Sequence, residues 1–125
     1  LIDELIADYM GITAAEGKFR ADWFLRFLGL ESFPVYRAGG RLENYRGKPE
    51  LSDGAFVILQ SMVKSAAENL EQFDADCSKV FVEAERRTLI LISLTHLTLE
   101  ELASEDACTL LENLVRELKN DIEMI

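Results

Sequence analysis

Seven of the eleven aromatic side chains fall between Phe19 and Tyr45, and seven of the thirteen Lys and Arg residues are interleaved with them over 17–49. Arg37, Arg41, Arg46 and Lys48 on this glycine-rich stretch could hold an anion. A guanidinium offers a planar fork of donors that matches a carboxylate or phosphate, and a lysine adds a point charge. Tyr36 and Tyr45 lie among them, and Tyr and Arg are the types enriched at binding hot spots. The expected contact set for an anionic ligand or an acidic protein surface is therefore Tyr36, Arg37, Arg41, Tyr45, Arg46 and Lys48. The competing expectation is that these arginines pair with the chain's own acidic surplus and stitch the stretch to the rest of the protein. The order of residues from Ala38 to Lys48 lacks the Gly-x4-Gly-Lys-Ser/Thr pattern, so it is not a P-loop.

Other chemistry is thinly represented. His96 is the only histidine; at helical spacing it shares a face with Leu89, Ile92 and Leu99, a setting for a hydrogen-bonded core or interface residue rather than a general base. Cys77 and Cys108 make neither a disulfide framework nor a metal-ligand set, and read as small buried hydrophobes. Glu100, Glu101, Glu105 and Asp106 are clustered, but they stand where helix caps and first-turn acids belong. The paired Glu-x-x-His motifs of di-metal bundles are missing from the sequence. No metal and no cofactor is implied. Trp23 and Phe27, at helical spacing, could line a pocket for a small anionic metabolite; an aromatic stripe of this kind more often faces a core.

The formal net charge is −10, yet 17–49 holds seven basic against three acidic residues and is locally +4. The acidic remainder opposes general affinity for nucleic acid or anionic membranes. No run reaches the eighteen apolar residues of a membrane span, since Arg86 and Arg87 precede the longest one, and the start shows no signal-peptide pattern. The expected location is cytoplasmic.

The elements that must position these groups are mostly helical. Ile2, Leu5, Ile6, Tyr9 and Met10 mark a short helix ended by Gly11, and Thr13 to Glu16 has capping-box form for a second helix ending at Gly29. Over 33–46 the helical period gives way to two short strands around Gly39-Gly40, a β-hairpin. In the expected register Phe33, Val35 and Leu42 face the helices and Tyr36, Arg41, Glu43 and Tyr45 face outward. Ser52 caps a helix whose seam runs Phe56, Leu59, Val63, Ala66, Leu70 and Phe73. A break at Asp74-Ala75-Asp76 makes the next helix, about 76–97, an antiparallel neighbour. Because Leu89 to Leu97 is apolar nearly all round, that helix is expected at the centre of the core, with Cys77, Phe81, Ala84, Thr88, Leu91 and Thr95 against its predecessor. Arg87 stands four residues after Glu83, the spacing of a helical ion pair. Thr98 to Glu101 is another capping box, and Ser104 to Asp106 opens the last helix, with a stripe of Leu111, Val115, Leu118, Ile122 and Ile125.

The chain thus reads as one all-α domain over 1–125, a bundle of about five helices, three long ones in the C-terminal half, with a β-hairpin inserted at about 33–46. The leading functional expectation is a non-enzymatic interaction or regulatory module, a homodimer because its apolar faces exceed what one small bundle buries, using the basic aromatic hairpin for an acidic partner or anionic ligand. The alternative is a small-molecule binder or enzyme with a pocket between the second helix and the hairpin. A third, less favoured, is winged-helix-like DNA binding, with no helix nearby basic enough to read bases.

Overall fold

Leu5, Tyr9, Ile12 and Thr13 lie on one face at helical spacing and are all buried, so the first helix does not stop at Gly11. In the computed structural model, which describes residues 1–124, it is α1 (Ile2–Glu16). The Thr13 hydroxyl donates back to the Tyr9 carbonyl at 2.6 Å instead of capping a new helix, and the helix ends at Gly17 with φ 75°. The expected boundary at Gly11 and capping box at Thr13 are therefore corrected. α2 is short, Ala21–Leu28, and closes at Gly29 with φ 90°, as the sequence indicates. It is followed by α3 (Asp53–Cys77), α4 (Glu83–Leu94), α5 (Leu99–Ala103) and α6 (Ala107–Glu123).

The all-α bundle stands; the inserted β-hairpin does not. Among the described residues there is no strand, only one isolated bridge between Ser32 and Val35. The backbone groups that a hairpin would pair with each other are satisfied on the end of α2 and locally. Arg37 N–H donates to the Gly29 carbonyl at 2.9 Å, Gly40 N–H turns back to Arg37 at 3.1 Å, and 41–45 coil into a 3-10 turn. Gly40 lies so close to α2 that a Cβ there would stand 2.4 Å from the Leu28 carbonyl oxygen. Gly39 takes the positive φ expected of it, 85°, and Gly40 does not, so the two do not form the two-residue hairpin turn. Leu42 is buried as expected; Phe33 is half-buried and Val35 points into solvent.

The central helix is also reassigned. α3 is 25 residues, about 37 Å long, and reaches Cys77 without a break at Asp74. Ser52 caps it as expected, accepting from Ala55 N–H at 3.1 Å. α3 touches α2, α4, α5 and α6, whereas α4 has 12 residues and packs on α6 and α1 more than on α3. Leu89, Ile90, Ser93 and Leu94 are buried on α4, but Ala84, Thr88, Ile92 and Thr95 are exposed, so that helix is not enclosed on every side. α5 carries the expected capping box: Thr98 Oγ1 accepts from Glu101 N–H and the Glu101 carboxylate accepts from Thr98 N–H. α6 starts where expected, after Asp106, though without a side-chain cap bond; Leu111 and Val115 are buried, Leu118 half-buried and Ile122 exposed, while Ile125 lies outside the described residues.

Candidate functional site

The segment between α2 and α3 carries the basic aromatic set, and its side chains reach mostly inward. Arg41 forms ion pairs with Glu4 at 2.7 Å and Asp8 at 3.1 Å, one turn apart on α1, and its guanidinium lies over the Phe27 ring at 5.2 Å. Arg37 pairs with Glu31 at 2.9 Å and donates to the Arg26 carbonyl at the end of α2. Arg46 donates to the Leu51 carbonyl and to Asp53 and stacks over Phe56 at 4.7 Å, while its Nε, buried, has no hydrogen-bond partner among the described residues. Tyr36 donates to the Gly40 carbonyl at 2.7 Å and meets Phe56 edge-on; Tyr45 donates to Glu4. Lys48 is exposed and makes no ion pair among the described residues. The structure thus gathers five of the six expected contact residues into contacts with the protein's own backbone, acids and rings, and leaves Lys48 apart.

Trp23 and Phe27 sit on α2, Trp23 half-buried beneath Arg20 at 4.9 Å and Phe27 exposed beneath Arg41. Neither lines the cleft described below. His96 is exposed just past α4, not in the core. The Arg87–Glu83 pair is present at 3.8 Å.

A second polar constellation escaped the sequence reading. Asp74, on α3, is buried and accepts from Tyr9 Oη at 2.7 Å and from Phe19 N–H at 2.9 Å. Arg86, also buried, approaches the same carboxylate with Nε at 3.4 Å and donates to the Gly17 carbonyl at the C-terminus of α1. One carboxylate therefore joins α1, the turn after it, α3 and α4. Burial, then the hydrogen bond to Asp74, raises the Tyr9 phenol far above its ordinary range, so it stays a neutral donor. The helical spacing of Tyr9 was visible, but Asp74 sits in an Asp-Ala-Asp triplet that looks like a helix break and carries no mark of burial.

An apolar cleft of about 370 Å³ lies between the C-terminal end of α3, the 78–82 turn and α6. Phe73, Cys77, Val80, Phe81 and Val115 line it, and Lys119, paired with Glu85, lies over Phe81 at 5.2 Å. Burial pushes the Cys77 thiol up to about 11, with Asp74 and Asp76 adding to the effect, and burial raises Cys108 as well. A thiol raised in this way favours its protonated form, in keeping with the reading of both cysteines as small hydrophobes. Among the described residues no group of three or more His, Cys, Asp or Glu is placed to hold a metal ion, and no helix is long and apolar enough to cross a membrane.

A family of unknown function (DUF7005) has a model that matches residues 1–106. The chain belongs to this family. In the DUF7005 match lie α1 to α5, and with them the Arg41 and Asp74 constellations; α6 follows it. No curated protein and no solved structure matches the chain.

Proposed function

We propose that this protein is a helical interaction module that works as a homodimer. The observation that carries the reading is the outer face of the first half of α3. Val57 and Ile58 are 54% and 63% exposed there, and the span from Gly54 to Val63 contains no charged residue. In a chain with 29% charged residues, an uncharged helix face turned to solvent is the composition of an interface, not of a solvated surface. The polar groups with chemistry to offer support the same reading. Asp74, Arg86 and Tyr9 engage one another in the core, and Arg37, Arg41 and Arg46 brace the α2–α3 segment against α1, α2 and α3. Sedimentation velocity over a wide concentration range tests this. A concentration-dependent dimer is expected, converted to monomer by Ile58→Glu with an unchanged far-UV spectrum; a monomer at every concentration overturns the reading.

A second reading keeps the α2–α3 segment as the contact for an acidic partner. It is favoured by the half-exposed guanidinium groups of Arg37 and Arg41, with 54% and 44% of their side chains accessible, and by the free ammonium of Lys48. An incoming carboxylate would exchange with Glu31 or Asp8. Arg37→Ala with Lys48→Ala should abolish retention on an acidic peptide column at low salt while thermal stability holds; equal retention removes this reading.

A further inference from the structure

Successive residues of an α-helix turn by about 100°, so Gly54, Ile58, Ser61 and Ser65 fall along one line of α3, with Val57 beside it. Gly54, Val57, Ile58 and Ser61 are exposed, and Ser65 is half-buried. A Cβ built on Gly54 would meet nothing, so the protein's own packing gives no reason for glycine there. Asp53 and Lys64 share one flank of this face, one near each end of it. Each is half of an internal pair: Arg46 with Asp53 at 3.1 Å and Lys64 with Glu68 at 2.6 Å. The Asp53 side chain is fully exposed.

This pattern is complementary to itself when turned end for end. A two-fold axis perpendicular to the helix, passing near Leu59 and Gln60, reverses the helix direction but keeps each flank on its own side. It brings Ile58 opposite the small Ser61 and Gly54 opposite Ser65, and sets Asp53 within about 3 Å of the level of Lys64, less than one helical turn, each twice. The charged row at each end then alternates in sign, Arg46 and Asp53 of one copy continuing into Lys64 and Glu68 of the other. We propose that a second copy of this chain covers this face, the two α3 helices packing antiparallel about that axis, with apolar and small residues at the centre and the Asp53–Lys64 contacts setting the register. An isologous contact requires this self-complementarity, and a parallel arrangement would carry the charged flanks to opposite sides of the contact, where Asp53 and Lys64 do not meet. The proposal rests on the homodimeric reading above and adds its geometry.

Charge exchange tests it. In Asp53→Lys and in Lys64→Glu each symmetric dimer meets like charges at both ends, and self-association should weaken about tenfold or more. Mixed one to one, the two variants restore both attractive contacts, and a heterodimer close to wild-type affinity is expected. Gly54→Gln gives an arm independent of charge: it fills space that is open in the single chain, so the melting temperature should hold or rise at concentrations where both proteins are monomeric, while dimerisation at higher concentration falls. A wild-type monomer removes the homodimeric reading and this proposal together. A wild-type dimer that both single variants retain, or whose affinity the mixture fails to recover, or that Gly54→Gln leaves untouched, overturns this register alone.

Discussion

Arg41 and Arg86 do similar work in different media. Each reaches across to the region of α1 and ties a later part of the chain to it. Arg41 spans Glu4 and Asp8 from the α2–α3 segment, and Arg86 spans Asp74 and the Gly17 carbonyl from α4. The Arg41 side chain is 44% accessible and the Arg86 side chain 6%. Water can replace much of what Arg41 does. It cannot reach Asp74, so every donor there is either present in the protein or lost. The difference between the two sites is solvent more than geometry, and it sets the size of what each substitution should do.

Asp74→Asn is expected to have the largest effect. It keeps the shape but leaves the Arg86 charge buried with no counter-ion, and breaking a buried pair in this way costs about 3–5 kcal/mol. Denaturant unfolding should show a markedly lower midpoint with little change in slope. Replacing both partners, Asp74→Leu with Arg86→Met, removes the unpaired charge as well and should cost less than Asp74→Asn alone. If the double variant is the worse of the two, the pair contributes net stability and the contrast with Arg41 grows.

Tyr9→Phe comes next. It deletes one of the two hydrogen bonds to a carboxylate that keeps the Phe19 N–H and the Arg86 ion pair, for a loss of about 1–2 kcal/mol. The same phenol gives a pH signature. Its ordinary value is 10.0 and folding raises it, as folding also raises Tyr45 to about 12 through the hydrogen bond to Glu4, and Tyr36 through burial. A group whose pKa is raised by folding contributes stability that is whole below the unfolded value and lost as pH climbs through the folded one. The wild-type melting temperature should therefore fall above about pH 10, and the gap between wild type and Tyr9→Phe should narrow over that range. A gap independent of pH would mean that Tyr9 does not meet Asp74 as a neutral donor.

The sequence conveyed the bundle because periodicity is a property of many residues at once: Leu111 and Val115, Phe56 and Val63, and the Thr98 capping box all lie where the pattern puts them. It misplaced boundaries where one residue type has two uses. Thr13 and Asp74 both look like helix ends, and both are buried inside helices because their side chains bond to partners four residues away in the first case and 65 residues away in the second. The supposed hairpin failed for a related reason. Gly39-Gly40 does signal a turn, but Gly40 is needed for its approach to Leu28, a contact between separate elements that local pattern cannot carry. The basic set was found by type and spacing. That its acids lie at Glu4 and Asp8, more than thirty residues earlier, became visible only once α1 was placed.

Arg41→Gln is expected to have the smallest effect, and the most informative one for the comparison. An accessible ion pair contributes at most about 1 kcal/mol, and less where the Debye length shrinks to about 3 Å at 1 M salt, so wild type and variant should converge in high salt. Asp8 reports the pair directly. Burial raises its carboxyl above 3.8, and Arg41 is the largest influence holding it down. Removing the guanidinium should move the Asp8 carboxyl signal in a carbon-13 NMR titration to higher pH. Because Asp8 is raised by folding in either protein, its ionisation works against the fold, and the variant's deficit should open as pH rises through the Asp8 titration and close again in acid. A deficit that survives both 1 M salt and protonation of Asp8 would place Arg41 with Arg86, as a group whose loss water does not repair.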